Sequence, residues 1–124
     1  MKVLVLFASP HREGHTARLT EEFLAGLGPA ETARVDLYAL GPAPCVACGV
    51  CGTREECVFH DLDRVHRLLA ACDLLVMAAP VYNAGLPAPM KALLDRWQRY
   101  YEARFSLGKR PPLEKHRGAA LLLT

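Results

Sequence analysis

Four cysteines fall within thirteen residues of a 124-residue chain, spaced Cys45-x2-Cys48-x2-Cys51-x5-Cys57. Four thiolates wound this tightly around one loop suit a cuboidal 4Fe-4S cluster, and Gly49 and Gly52 between them let the backbone turn its sulfurs inward. Zinc sites built from four cysteines usually split their ligands into two separated pairs, which this spacing does not do. Unmetallated thiols, zinc and a disulfide stay open as alternatives. The bacterial ferredoxin run has a shorter last gap followed by proline, whereas Val58 follows Cys57 here. The fifth cysteine, Cys72, follows Leu68 and Leu69 at helical spacing and reads as a small core residue. His60 and His66 flank the region without paired metal spacing, so both are expected at solvent or on a helix surface.

A second concentration of chemistry is Ser9-Pro10-His11-Arg12-Glu13-Gly14-His15-Thr16. Two hydroxyls, a guanidinium and the free N–H groups of a helix start would converge there on an anion, and a phosphate monoester suits that cradle. The loop matches neither G-x-x-x-x-G-K-[ST] nor G-x-G-x-x-G, which disfavours nucleoside triphosphates and the usual dinucleotide cradle. Taken alone, the stretch also reads as a Ser/Gly turn with a helix cap.

Both segments need a frame. Residues 2–8 (KVLVLFA) form an unbroken apolar run, the pattern of a parallel strand buried on both faces. A helix over Thr16 to Leu27 puts Leu19, Phe23, Leu24 and Leu27 on one face before Gly28-Pro29 stops it. Residues 34–40 read as a second, more exposed edge strand, turned by Gly41-Pro42-Ala43-Pro44. Asp61 is the expected N-cap of a helix running to about Ala71, and 73–79 is another solid apolar strand. Pro87 opens a third helix, whose stripe of Met90, Leu93, Leu94, Trp97 and Tyr101 predicts continuity to about Arg104. Residues 118–124 give a fourth strand. Strands alternating with helices predict a single α/β domain over 1–124, with a parallel sheet covered on both faces. In such a sheet ligands bind beyond the carboxyl ends of the strands where their order reverses, so the segments after strands one and three are the places to search.

Composition removes other classes. With 15 Lys+Arg against 13 Asp+Glu there is no basic field to hold nucleic acid. The apolar runs fall far short of the roughly 20 residues that cross a bilayer, so no membrane role is expected. The opening MKVLVLFASP gives way to His11, Arg12 and Glu13 instead of a small-residue cleavage site, and reads as a mature strand. An odd cysteine count fits a reducing compartment, and the expected location is cytoplasmic.

After strand three the chain reads Pro80-Val81-Tyr82-Asn83-Ala84-Gly85-Leu86-Pro87, then Met90-Lys91 and Asp95-Arg96. The pairing of S-P-x-x-x-G-x-T with P-V-Y-x-x-x-x-P-x-x-x-K-x-x-x-D-R resembles the NADPH-dependent FMN reductase and iron–sulfur flavoprotein group of the flavodoxin-like superfamily, over essentially the whole chain. The resemblance implies a flavodoxin-like doubly wound sheet of strand order 2-1-3-4. It implies that Ser9, Arg12, Gly14, His15 and Thr16 hold the FMN phosphate and that Pro80, Val81, Tyr82, Asn83, Ala84 and Gly85 line the isoalloxazine. The cysteine spacing closely resembles the cluster motif of iron–sulfur flavoproteins, which would make Cys45, Cys48, Cys51 and Cys57 ligands of a 4Fe-4S cluster. The implied activity is FMN-dependent transfer of electrons from NAD(P)H to a flavin, quinone or similar small-molecule acceptor. An electron carrier between protein partners, or a non-catalytic short form, is the alternative.

One departure is Ala8, where the family usually has Gly before the Ser. Lys91 and Asp95, four apart, are expected to form an intrahelical ion pair rather than to act in chemistry. The family also continues past strand four with another flavin-contacting loop, a fifth strand and a helix. The expectation here is therefore a sheet edge at 118–124 carrying Leu121, Leu122 and Leu123, covered by a second copy in a homo-oligomer.

Overall fold

Alternation along the first strand, β1 (Lys2–Phe7), divides the core in two. Val3, Val5 and Phe7 point to one side of the sheet, Leu4 and Leu6 to the other, and all five are essentially inaccessible to solvent. That double burial explains the unbroken apolar run. The computed structural model describes residues 1–124. After β1 come α1 (His15–Leu27), β2 (Glu31–Asp36), α2 (Leu37–Leu40), a 3-10 turn (Val50–Gly52) and α3 (Asp63–Ala71). Then follow β3 (Leu74–Ala79), α4 (Ala88–Arg96), α5 (Gln98–Phe105) and β4 (Gly118–Leu123).

The four strands are parallel in the order β2-β1-β3-β4, the doubly wound flavodoxin-like arrangement expected from the sequence. The chain leaves β1 toward β2 on one side and returns to place β3 on the other, so the order reverses between β1 and β3. Helix α1 covers Val3, Val5, Phe7 and Val76 with Ala17, Phe23, Leu24 and Leu27. On the opposite face Val65 and Leu69 of α3 and Met90 and Leu93 of α4 cover Leu4, Leu6 and Leu75. None of the helices is long and apolar enough to cross a membrane.

Several elements differ from expectation. The second strand ends at Asp36, not 40, because the Asp36 carboxylate accepts hydrogen bonds from the N–H groups of Tyr38 (3.0 Å) and Ala39 (3.2 Å) and starts α2. Leu19 is exposed, and Thr16, Ala17 and Thr20 face the sheet instead. Small side chains there let α1 approach closely, and Thr20 Oγ1 donates to the Thr16 carbonyl at 2.7 Å, which satisfies its buried hydroxyl.

Asp61 does not cap α3. Its carboxylate is engaged elsewhere, and Leu62 occupies the cap position. The single third helix is broken at Trp97, whose ψ of 1° and N–H bond to the Leu94 carbonyl tighten the turn. That tightening rotates the following residues, so Ala103 is buried and Tyr100 half-buried, while Tyr101 stays exposed. His66 is buried, not at solvent, with Nδ1 2.8 Å from the Tyr100 hydroxyl.

Candidate functional site

At the carboxyl end of β1 the chain must leave a buried strand and enter α1 within a few residues. Ser9, 3% exposed, makes this turn: its Oγ accepts from the His11 N–H at 3.1 Å. Gly14 then lies over His11, and a Cβ on it would stand 3.0 Å from the His11 Cβ, so that His11 would have to give way by a few tenths of an ångström. No side chain caps α1 and no acidic residue sits in its first turn. The first N–H groups of this 13-residue helix are therefore free to meet an anion, with the helix dipole behind them. Thr16 Oγ1 is hydrogen-bonded to Thr124 Oγ1 at 2.7 Å, which ties the helix start to the end of β4.

At the carboxyl end of β3, Pro80 closes the strand and the Val81 N–H donates to the Thr124 carbonyl at 2.9 Å. Tyr82 and Gly85 exchange two 2.9 Å backbone bonds around a tight turn in which Asn83 (φ 50°) and Ala84 (φ 59°) are both left-handed. Val81 and Tyr82 present half-exposed apolar surface beside it.

The two loops meet. Ser9, His11, Gly14, His15, Thr16, Pro80, Val81, Tyr82 and Thr124 line one open cavity of about 630 Å³ at the β1/β3 reversal. Asn83, Ala84 and Gly85 form the adjoining turn without lining it. Arg12 is turned away, its Nε 3.1 Å from an Asp36 carboxylate oxygen, with the side chain 70% exposed. Burial first, then the charge of Tyr82, pushes the hydroxyl of Tyr38 on α2 above its usual range.

The cysteine segment lies apart. Cys45, Cys48, Cys51 and Cys57 line one cavity of about 450 Å³ together with Val46, Ala47, Val58 and Phe59, against the side chains of Arg96, Arg99 and Glu102. Gly49, at φ 78°, allows the reversal between Cys48 and Cys51. Cys45 and Cys48 are exposed, while Cys51 and Cys57 are half-buried. Desolvation and the Glu102 carboxylate push the Cys51 thiol up, and Cys45 and Cys48 stand near enough to add to that effect. Cys72 is buried in the core, as expected. Lys91 and Asp95 form the expected i,i+4 ion pair.

Comparison with known proteins decides the family, because the model described as NADPH-dependent FMN reductase matches residues 1–121. The chain belongs to that family. An iron-sulfur flavoprotein from Archaeoglobus fulgidus is 29% identical over 99% of this chain and 54% of its own length. Another from Methanocaldococcus jannaschii is 31% identical over 77% of this chain and 51% of its own. The chain thus spans about half the length of these curated relatives. Among solved structures, an NAD(P)H:quinone oxidoreductase from Methanothermobacter marburgensis matches 99% of this chain and 64% of its own, with a TM-score of 0.74 and 26% identity.

The residues present fit the flavin named in the family's description. An uncapped helix start, two hydroxyls and a glycine whose Cβ would crowd His11 make a cradle suited to a phosphate. Four cysteines lining one cavity supply the donor type that an iron–sulfur cluster takes, while no three metal-binding side chains stand close enough together to hold a single ion.

Sequence reading missed His11, Thr124, Arg96 and Asp61. For His11 its place inside the loop was a usable signal, and for Arg96 its place in the D-R pair; Thr124 and Asp61 come into play only through tertiary contacts.

Proposed function

We propose that this chain binds FMN and acts as an NAD(P)H-dependent oxidoreductase that delivers electrons to a quinone, flavin or similar small acceptor. The observation that carries the reading is the cavity at the β1/β3 reversal, which joins an uncapped helix start to an apolar, turn-bounded wall. In this reading Ser9, Gly14, His15 and Thr16 bind the phosphate. Arg12 joins them by leaving Asp36, a surface pair worth only ~0–1 kcal/mol and easily exchanged for a phosphate. Pro80, Val81 and Tyr82 hold the ring, and the Asn83–Gly85 turn brings backbone N–H groups to its edge.

The chemistry FMN supplies when bound is hydride acceptance from a nicotinamide and release of electrons to an acceptor. No side-chain acid, base or nucleophile is required of the chain, whose work is to bind, orient and exclude water. Mass spectrometry of released cofactor, with FMN titration of the apoprotein, tests the reading. FAD as the main species, or no flavin binding at all, would sink it.

The second reading is an electron carrier between protein partners, favoured by the convergence of four thiols on one cavity. Anaerobic reconstitution with iron and sulfide should then give about four irons per chain. Bleaching of bound flavin by NADPH without a protein partner would favour the oxidoreductase.

A further inference from the structure

We propose that Arg96 is the positioning residue of the cysteine site: its guanidinium clamps both ends of the 45–57 segment to α4, closing the four-thiol loop before any metal reaches it. The inference rests on reading these cysteines as a ligand set.

Arg96 is 2% exposed, and its donors reach to both sides of the cysteine segment. Nη1 donates to the Ala43 carbonyl at 2.9 Å, and Nη2 to the Phe59 carbonyl at 3.4 Å. The Asp61 carboxylate receives both, at 3.1 Å from Nη1 and 2.6 Å from Nη2. The same carboxylate accepts the Ala43 N–H at 2.9 Å, so the chain before Cys45 and the chain after Cys57 are locked to one ion pair. The guanidinium also lies over the Phe59 ring, 5.2 Å from its centroid.

Between these ends the only regular element is the three-residue 3-10 turn. The middle of the loop is held by local turn bonds and at Glu55, whose carbonyl accepts from Arg99 Nη2 at 2.8 Å and whose carboxylate pairs with Lys109 Nζ at 2.7 Å; the two ends depend on Arg96. Arg96 itself lines the cysteine cavity. Only a planar fork can serve two carbonyls and both oxygens of one carboxylate; an ammonium has three donors and no such geometry.

Arg96 is the last residue of α4, and Pro87, at the end of the 80–87 loop, is its N-cap, so one nine-residue helix connects the clamp to the loop after β3.

The test is thiol reactivity in metal-free, reduced protein, read with Ellman's reagent under anaerobic conditions for wild type, Arg96→Lys and Arg96→Met. Wild type should show slow Cys51 and Cys57 beside fast Cys45 and Cys48. Arg96→Met should speed the slow pair at least tenfold and lower iron retained after limited reconstitution at least threefold, and Arg96→Lys should not restore either. Rates within twofold of wild type in a folded Arg96→Met protein would overturn the proposal.

Hydrogen exchange on the wild type serves if the variants do not fold. Protection of the Ala43 amide without metal supports the clamp, and free exchange over 43–61 until metal is added overturns it. Wild type that keeps its two thiol classes yet takes up no iron would remove the cluster reading and leave the clamp standing.

Discussion

Nη2 and Nη1 of Arg96 donate to the two carboxylate oxygens of Asp61 at 2.6 and 3.1 Å, a two-pronged contact between residues 35 apart in sequence. The Arg96 side chain is 1% exposed and that of Asp61 29%. Bonding to Arg96 holds the Asp61 carboxyl below the usual carboxylate range. Asp61→Ala leaves a buried guanidinium without its counter-charge, and should cost about 2–4 kcal/mol of unfolding free energy, somewhat less than a fully buried pair because Asp61 is partly solvated. Urea unfolding at neutral pH measures this; a loss under 1 kcal/mol would show that water replaces the carboxylate at no great cost.

The loop from Ser9 to Thr16 predicts a specific loss of flavin. Replacing both Arg12 and Thr16 by Ala removes a charge-assisted contact and a hydroxyl contact to the phosphate, together about 2–4 kcal/mol of FMN binding. That is about 30- to 1000-fold in Kd, read by fluorescence quenching on titration. Unchanged affinity in the double variant would reduce the loop to a helix start and nothing more.

Ala84 at φ 59° carries a Cβ where the left-handed conformation costs about 1–2 kcal/mol for an L-residue. Glycine removes that cost but adds roughly 0.4–1 kcal/mol of unfolded-chain entropy, so Ala84→Gly should be neutral to about 1.5 kcal/mol stabilising. Ala84→Val should destabilise, since a β-branched residue tolerates positive φ worst. Chemical denaturation of the two variants gives the comparison, and a destabilised Ala84→Gly would mean that the methyl group makes contacts that outweigh the strain.

Strand positions were legible because burial on both faces leaves an apolar run that little else produces, as in Val3 to Phe7. The two loops were legible as well, since Ser, Gly and Pro at strand ends have local causes. What escaped the sequence depends on partners far along the chain. Arg96 closing a helix reads as a surface charge until Ala43 and Asp61, 53 and 35 residues away, come to meet it. Asp36 ended β2 early because a local cap outcompeted the strand propensity of Leu37 and Tyr38. Leu19 misled because helical spacing ranks residues by hydrophobicity, whereas close approach of α1 to the sheet selected Thr16, Ala17 and Thr20.

The same distance in sequence hides a pH response. His66 Nδ1 lies 2.8 Å from the hydroxyl of Tyr100, 34 residues on, and the two rings meet edge to face. Burial, aided by Arg99 and Arg96 and opposed by Asp63 and Asp61, pushes His66 down to about 4. An unfolded chain protonates this imidazole near 6.5. Between those values the unfolded state holds the extra proton, so stability falls as pH drops from about 6.5 to about 4 and is untouched above that window. One proton corresponds to ~1.4 kcal/mol per pH unit, or about 3 kcal/mol across the window. Asp61 and Asp73, whose carboxyls are held below their usual range, withdraw their contributions only at lower pH, which leaves the window to His66. Urea unfolding at pH 7, 6, 5 and 4.5 should therefore show a steep decline in wild type. His66→Gln, which keeps a hydrogen-bonding partner for Tyr100 but cannot titrate, should start lower and decline less. Parallel curves for the two proteins would mean that His66 is protonated in the folded state as readily as in the unfolded one.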